Sequence, residues 1–235
     1  KLDRAVVKIM LSRGETQRGY GFDKTIEPTR IVIISDVPNL PVDFDLSLCD
    51  SGYVNNQLLA EIKHCNRLEQ ILARANLNTQ ECIMLDAQGQ VVSASQGNIF
   101  AVKNGVLLTP SLEECGIEGT RRQVIIELAR ELEISAEISS LSVSELLSCN
   151  EVFITNSVMG IKPVRQINEQ IYTQHEVTEQ LTRAFEKHLL KRNNSIALKP
   201  KRNFLKVMWL LALGLLLSWS FWANTVNTVE NITYQ

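Results

Sequence analysis

The chain has 235 residues, of which 45% are hydrophobic and 21% are charged, so it can bury one substantial core or two small ones. Its formal net charge of −2 at pH 7 provides no large basic field, which argues against nucleic-acid binding through phosphate neutralisation. Five cysteines without C-x-x-C spacing argue against a zinc site, a redox pair or a secreted disulfide framework, so we expect reduced thiols. The three histidines are dispersed, and no metal is expected.

The N-terminal segment has the pattern of a β-hairpin. Alternating and β-branched residues predict strands at 5–12 and 29–34, and the glycine-rich interval 13–22 predicts a loop between them. Because the chain opens directly into strand-like residues without an initiator methionine or signal peptide, we expect a fragment of a longer protein.

A short helix is predicted after a linker that contains Pro38 and Pro41. Apolar residues recur at helical spacing and predict an inward apolar face, formed by Leu68, Ile71, Leu72 and Ala75. Lys63 then lies at the junction between a strand at 45–49 and this helix.

The central part of the chain reads as a meander of short strands followed by helices. The predicted strands lie at 81–85, 91–94, 98–103, 106–109, 136–141, 151–155 and 161–164. Helices are predicted at 119–132, with Val124, Ile125, Leu128, Ala129 and Leu132 inward, and at 177–190. The expected fold class is α+β, with an antiparallel-rich sheet or barrel and packed helices.

The C-terminal segment differs in kind. No charged residue occurs from Val207 to Ala223, and the apolar span 204–223 has about the 20 residues that a membrane helix needs. A buried core helix is the alternative, but apolar residues all around the helix favour the bilayer. Basic residues precede the span and only Glu230 is charged after it, so we expect a cytoplasmic domain anchored to the inner membrane by one span.

One lysine motif carries the functional interpretation. Residues 62–70 read I-K-H-C-N-R-L-E-Q. By composition alone Lys63 is a solvated lysine near a helix start. The motif resembles the lysine segment of the fold-type IV pyridoxal phosphate enzymes, the class IV aminotransferase family. That resemblance implies pyridoxal 5'-phosphate as cofactor, covalent attachment at Lys63, a small-molecule substrate and a homodimer.

Two further motifs match the phosphate-binding segments of that family. Residues 116–122 place a glycine turn and a threonine at a helix start, where free backbone N–H groups favour an anion. The resemblance assigns cofactor binding to Gly119 and Thr120 here, with Arg121 as a further candidate, and to Asn156 and Ser157 in the loop 155–164. Without the resemblance, a plain helix N-cap and a strand-ending turn explain these residues.

A substrate-binding segment is implied in the hairpin loop. Residues 12–20 contain S-R-G and R-G-Y, which resemble a segment of the family's lyases that faces the active site. Arg18 and Tyr20 are therefore the carboxylate candidates, because an arginine fork matches a carboxylate with two hydrogen bonds. The alternative is a surface loop with exposed arginines.

Three departures from the family pattern bear on activity. In the family pattern a glutamate holds the protonated pyridine nitrogen of the cofactor, and Ser93 stands at that position here. We expect Ser93 to be a cofactor-binding residue, but without a carboxylate the cofactor would be a weaker electron sink. Glu61 replaces the glycine that precedes I-K-H. From the resemblance we also expect this sequence to lack most of the family's small N-terminal domain, which contributes another phosphate-binding arginine.

The resemblance is closest to the aminodeoxychorismate lyases of the family, which implies elimination of pyruvate from 4-amino-4-deoxychorismate to give 4-aminobenzoate for folate synthesis. A branched-chain or D-amino acid aminotransferase, or a non-catalytic remnant on a membrane anchor, are the alternatives. The expected organisation is a partial small N-terminal α/β domain (1–37), a pyridoxal phosphate-binding large domain (38–192), a basic linker (193–203), a transmembrane helix (204–223) and a short extracytoplasmic tail (224–235).

Overall fold

The computed structural model describes residues 4–197, which fall into two compact units with their boundary between Phe185 and Glu186. The first unit opens with the predicted hairpin, strands β1 (Val6–Ser12) and β2 (Thr29–Ser35). They pair antiparallel over their whole length, from Val6 opposite Ser35 to Ser12 opposite Thr29. The hairpin forms a two-stranded sheet of its own, and every residue of β2 is exposed.

A nine-stranded mixed sheet forms the body of the first unit. Its strands are β3 (Phe44–Leu48), β4 (Glu81–Leu85), β5 (Val91–Ala94), β6 (Asn98–Lys103), β7 (Val106–Pro110), β8 (Ala136–Ser139), β9 (Glu151–Asn156), β10 (Gly160–Ile167) and β11 (Gln170–Ile171). The order is β5-β4-β3-β10-β9-β6-β7-β8, with β11 on β10. The pairs β3–β10, β3–β4 and β7–β8 are parallel and the others antiparallel, which agrees with the predicted α+β class.

Tight turns produce the antiparallel pairs. Asn104 and Gly105 link β6 to β7 with φ of 51° and 79°, the left-handed values that a two-residue hairpin turn requires at both positions. Asp86 closes the turn between β4 and β5, because its carboxylate accepts from the backbone N–H groups of Gln88 and Gln90. These local signals explain why the predicted strand bounds are close to those observed.

Helices cover the sheet, and they are α1 (Leu68–Arg74), α2 (Thr120–Glu131), α3 (Val143–Leu147) and α4 (Glu176–Ala197). Helix α2 packs on β9 with Ile125, Ile126, Leu128 and Ala129 buried, whereas the predicted inward residues Val124 and Leu132 are only half-buried. The sequence analysis missed α3, although Ser142 and Glu145 form a capping box at its start. Helix α4 begins against Glu151, whose carboxylate accepts from the N–H groups of Val177 and Thr178.

The core lies on both faces of the sheet. On one face Ile99, Ala101, Val152 and Ile154 belong to the largest apolar cluster, which also includes Leu146 of α3. Because side chains alternate along a strand, the residues between them point to the other face. There the rings of Phe100 and Phe153 stack with centroids 4.9 Å apart.

Two expectations about the helix after Lys63 are wrong. Lys63 does not lie at a strand-to-helix junction, because residues 49–67 between β3 and α1 are irregular. The apolar face of α1 does not point inward either, since Leu68, Ile71 and Leu72 are 57–64% exposed and Gln70 is the buried residue of the helix.

The expectation of reduced thiols is wrong for Cys49 and Cys82, which form a disulfide bond. The two cysteines are 33 residues apart, but β3 and β4 are parallel neighbours and bring their Cα atoms to 5.6 Å. No cysteine spacing in the sequence indicates this pair. Cys65, Cys115 and Cys149 carry free thiols.

The predicted transmembrane helix at 204–223 lies outside the described residues and stays a prediction. Within residues 4–197 there is no helix with the length and apolar character that crossing a membrane requires.

Candidate active site

Lys63 lies in an irregular segment whose backbone is held by Arg67. The Arg67 guanidinium donates from Nε to the carbonyl of His64 at 2.9 Å and from a terminal nitrogen to the carbonyl of Ile62 at 3.0 Å. The backbone N–H of His64 also donates to the Ile62 carbonyl, at 3.1 Å. The residues on both sides of Lys63 are therefore hydrogen-bonded to one side chain.

The electrostatic surroundings of Lys63 favour its neutral amine. Partial burial of the side chain lowers the pKa of Lys63, and the positive charges of Arg67 and Lys8 lower it further. Lys8 belongs to β1, so the hairpin contributes to this effect. A lysine with a lowered pKa is suited to act as a nucleophile or to move a proton.

A cavity of about 270 Å³ adjoins the lysine segment. Its polar lining residues come from this segment and from the preceding loop, and they include Tyr53, Asn56, His64, Asn66, Arg67 and Glu69. Cys115 and Gly116 close the opposite side. Lys63 flanks this cavity through its neighbour His64 and is not one of its lining residues. Arg67 stands within the lysine motif, but the sequence analysis assigned no role to it or to Tyr53, because a motif does not show which groups a side chain contacts.

Ser93 is buried, and its hydroxyl is already hydrogen-bonded. It lies 2.9 Å from the Tyr53 hydroxyl, and it donates to the carbonyl of Ala94 at 2.8 Å. Burial raises the pKa of Tyr53, which keeps this phenol protonated. The position that a glutamate occupies in the family therefore holds a neutral Tyr53–Ser93 pair. The assignment of Ser93 as a cofactor-binding residue stays a prediction.

The first turn of α2 has the character of an anion site. Gly119 is its N-cap residue and provides no side-chain cap, so the first N–H groups of the helix lack an intrahelical acceptor. Thr120 is exposed beside them. A Cβ at Gly119 would lie 2.1 Å from Oδ1 of Asn98, so only glycine allows this close packing. The backbone N–H of Glu118 donates to the Glu61 carbonyl at 3.0 Å, which joins this turn to the lysine segment.

Asn156 is the last residue of β9, and Ser157 begins the turn that leads into β10. The Asn156 carboxamide donates to the carbonyl of Gln96 at 2.8 Å and accepts from the N–H groups of Val158 and Met159, so it shapes the loop. Asn98, two residues after Gln96, donates to the Ile117 carbonyl at 2.8 Å. The β5–β6 connection therefore links the two predicted phosphate-binding segments. Ser157 is exposed.

The predicted substrate residues belong to a different segment of the chain, the hairpin of β1 and β2. Arg18 and Tyr20 are in the connection between β1 and β2, where both are exposed, and Tyr20 is fully so. The same connection is shaped by Arg13, whose guanidinium lies 3.7 Å from the centre of the Phe22 ring. Of the residues predicted from sequence, the structure thus brings Lys63, Gly119 and Asn156 into one connected region. The roles of Arg18 and Tyr20 stay predictions.

Comparison with known proteins identifies the family. The model of the amino-transferase class IV family matches residues 1–167, which is most of the chain. The chain belongs to the class IV aminotransferases. It is 31% identical over 179 residues to an aminodeoxychorismate lyase of Vibrio harveyi, a match that covers 72% of this chain and 65% of that protein. This agrees with the resemblance carried by the lysine motif.

Relatives with a different stated activity also match. A probable branched-chain-amino-acid aminotransferase of Thermotoga maritima is 37% identical over 133 residues, with 55% of this chain and 49% of the relative covered. Among solved structures, 4-amino-4-deoxychorismate lyase from Pseudomonas aeruginosa superposes with a TM-score of 0.74 at 34% identity, covering 77% of this chain and 70% of that one. The chain spans between 49% and 65% of the length of these two curated relatives.

Members of the class IV family use pyridoxal phosphate, and the residues of this chain fit most of that group. The uncapped start of α2 suits a phosphate, and the Lys63 amine with its lowered pKa suits an aldehyde. The ring-nitrogen position differs, because Ser93 offers a hydroxyl that is bonded to Tyr53 in place of a carboxylate.

Proposed function

We propose that this class IV protein is a pyridoxal phosphate-dependent enzyme and that Lys63 is its catalytic residue. One observation carries the proposal: the hydrogen bond from the Glu118 N–H to the Glu61 carbonyl ties the lysine segment to the start of α2. This hydrogen bond holds the lysine segment next to the helix N-terminus that would bind a phosphate. Gly119 and Thr120 would bind that phosphate, together with the loop at Asn156 and Ser157.

Lys63 and Ser93 would have different roles in the proposed reaction. The cofactor, when bound, supplies an electron sink for the carbon that carries the substrate amine. Lys63 would hold the cofactor, be released when the substrate amine takes its place, and then move a proton at its Nζ atom, which requires the neutral amine. The lowered pKa of Lys63 supports this role. Ser93 would leave the pyridine nitrogen without a carboxylate partner, which weakens the electron sink, and elimination would tolerate this loss better than amino transfer.

The proposed reaction is elimination of pyruvate from 4-amino-4-deoxychorismate to give 4-aminobenzoate. The lyases of Vibrio harveyi and Pseudomonas aeruginosa support it, as do the sequence motifs L-E-Q after Lys63 and R-G-Y at residues 18–20. Arg18 and Tyr20 would contact the substrate carboxylates. The second candidate is a branched-chain aminotransferase, which the Thermotoga maritima relative favours.

A homodimer is part of the proposal. The segment around Lys63 exposes several large apolar side chains, which water solvates poorly: Val54, Leu58, Ile62, Leu68, Ile71 and Leu72. A second copy of the chain would bury this surface. Light scattering after size-exclusion chromatography should give twice the monomer mass, and Leu68→Glu combined with Leu72→Glu should reduce it to one chain.

Covalent labelling of Lys63 tests the cofactor assignment. The purified full chain is mixed with pyridoxal phosphate and reduced with borohydride, and the modified peptide is identified by mass spectrometry. We expect the label on Lys63 and its loss in Lys63→Ala, with Lys103→Ala as the matched control that keeps it. Label spread evenly over exposed lysines would refute the site.

Product analysis separates the two reactions. A separate sample mixed with pyridoxal phosphate but not reduced with borohydride should release 4-aminobenzoate and pyruvate from 4-amino-4-deoxychorismate without an added keto acid. Amino transfer that depends on an added keto acid would establish the aminotransferase in its place. No label and no product would indicate the non-catalytic remnant.

A further inference from the structure

The side chain of Arg67 is directed to the lysine loop although its residue occupies a helix-capping position. Arg67 is the N-cap residue of α1, and no side-chain cap hydrogen bond is present there. N-cap positions favour serine, threonine, aspartate or asparagine, because a side-chain oxygen accepts from the helix N–H groups. A guanidinium has no acceptor and cannot cap. The structural use of this arginine is therefore the pair of bonds to the carbonyls of Ile62 and His64.

The two bonds need the shape of a guanidinium. The carbonyls belong to residues on either side of Lys63, and the bonds of 2.9 and 3.0 Å come from different nitrogens of one planar fork. A rigid fork with five N–H donors can satisfy two separate acceptors at fixed geometry, whereas an ammonium is a point donor on a flexible stem. Lys63 is thus fixed at its backbone from both neighbours.

We propose that Arg67 is a positioning residue that holds the Lys63 backbone in place for attachment of the cofactor. The inference rests on the proposed function of Lys63 and adds to it a residue that acts through the lysine. Arg67 itself touches neither the lysine amine nor a substrate in this role. Its two carbonyl contacts restrict where the amine can reach, so the loss of the fork should slow covalent attachment more than it changes the fold.

The charge of Arg67 has a separate effect that a control can isolate. Its positive charge lowers the pKa of Lys63, and the charge of Lys8, which belongs to β1 and not to the lysine loop, does the same. Arg67→Lys keeps a positive charge and removes the fork. Arg67→Met removes both, and Lys8→Met removes only a neighbouring charge.

Hydrogen exchange on the chain without cofactor measures the backbone effect. The His64 N–H is bonded to the Ile62 carbonyl that Arg67 also holds, so its exchange reports the loop. We expect Arg67→Lys and Arg67→Met each to accelerate exchange in the 61–67 peptide by roughly tenfold, and Lys8→Met to leave it at the wild-type rate. Reaction of Lys63 with an amine-reactive reagent should shift to higher pH in Arg67→Met and Lys8→Met, but little in Arg67→Lys.

The rate of pyridoxal phosphate attachment to Lys63 then decides the role. Attachment should slow by roughly tenfold or more in Arg67→Lys, although its charge is retained, because displacing a reacting group from its position has costs of this order. If hydrogen exchange or cofactor attachment is unchanged in both Arg67 variants, the positioning role of Arg67 is refuted. The proposed function of Lys63 still stands in that case, provided that the wild-type chain is labelled at Lys63. If the wild-type chain takes no label at Lys63, the proposed function fails first and the positioning role falls with it. A far-ultraviolet circular dichroism spectrum equal to wild type, expected at least for Arg67→Lys, shows that a variant is folded.

Discussion

Glu61 is held in a backbone conformation that favours glycine, two residues before Lys63. Its φ is 65°, in the left-handed region where a Cβ contacts the neighbouring carbonyl. Glycine at this position, as in the resembling family motif, would remove that contact while keeping the hydrogen bond from the Glu118 N–H to the residue-61 carbonyl. We therefore expect Glu61→Gly to raise the free energy of unfolding.

The expected gain is the difference of two effects. Relief of the left-handed strain is worth about 1–2 kcal/mol, and the extra freedom of glycine in the unfolded chain costs about 0.5–1 kcal/mol. The attraction between the exposed Glu61 carboxylate and the Arg122 guanidinium is also lost, and at a solvated carboxylate it is worth only a few tenths of a kcal/mol. The net gain should be about 0.5 kcal/mol. Glu61→Gln removes the charge alone and is the reference for the backbone effect.

Urea unfolding of the full chain measures the gain. With a slope of about 2 kcal/mol per molar urea, a gain of about 0.5 kcal/mol moves the midpoint by about 0.3 M above that of the wild type, and by about 0.4 M above that of Glu61→Gln, which has also lost the charge. Glu133, with φ of 58° after α2, is a matched control, so Glu133→Gly should shift the midpoint similarly. Only Glu61→Gly should change hydrogen exchange around Lys63. A midpoint for Glu61→Gly below that of Glu61→Gln would refute the strain argument.

Two further predictions concern the sheet beneath the site. Burial raises the pKa of Glu81, even though it bonds to Ser95 and Arg74, so the folded state holds its proton more tightly than the unfolded state does. The contribution of Glu81 to stability is therefore full below its ordinary pKa and is lost as pH rises through the raised pKa. When the free energy of unfolding is measured from pH 4 to 7, Glu81→Gln should remove the decrease with pH that Glu81 causes. Reduction of the Cys49–Cys82 bond, which closes a loop with a sequence separation of 33, should lower the free energy of unfolding by about 4 kcal/mol, and the urea midpoint should fall on adding a thiol. Cys65→Ser, which removes an exposed free thiol, should not change the urea midpoint, either with the disulfide intact or after its reduction.

Much of the local structure could be predicted from the sequence. The strands at 81–85, 91–94 and 98–103 have their predicted bounds, and the turn at Asn104-Gly105 has its predicted place. Strand alternation and turn chemistry act between residues that are near in the chain, so the sequence carries them directly. The lysine motif also identified the family, which the comparison of residues 1–167 bears out.

The site depended on contacts that no local pattern contains. The sequence marked Lys63 but did not indicate that Arg67 bonds to the carbonyls on both sides of it, nor that Tyr53 bonds to Ser93. A motif shows which side chains are available, and not which acceptors lie within reach. Glu61 was recognised as a departure from glycine, but its positive φ is a property of the folded loop.

The sequence by itself determined the strands, the turns and the family, because these depend on side-chain periodicity and on residue types in order. Tertiary structure decided the parallel pairing of β3 with β10, where Phe44 lies opposite Val164. It also decided the bond between Cys49 and Cys82 and the outward direction of the apolar face of α1. The physical reason is the same in each case: these features depend on residues that are far apart in the chain and come together only in the folded protein. The free energy of those contacts, and not local preference, selects the arrangement.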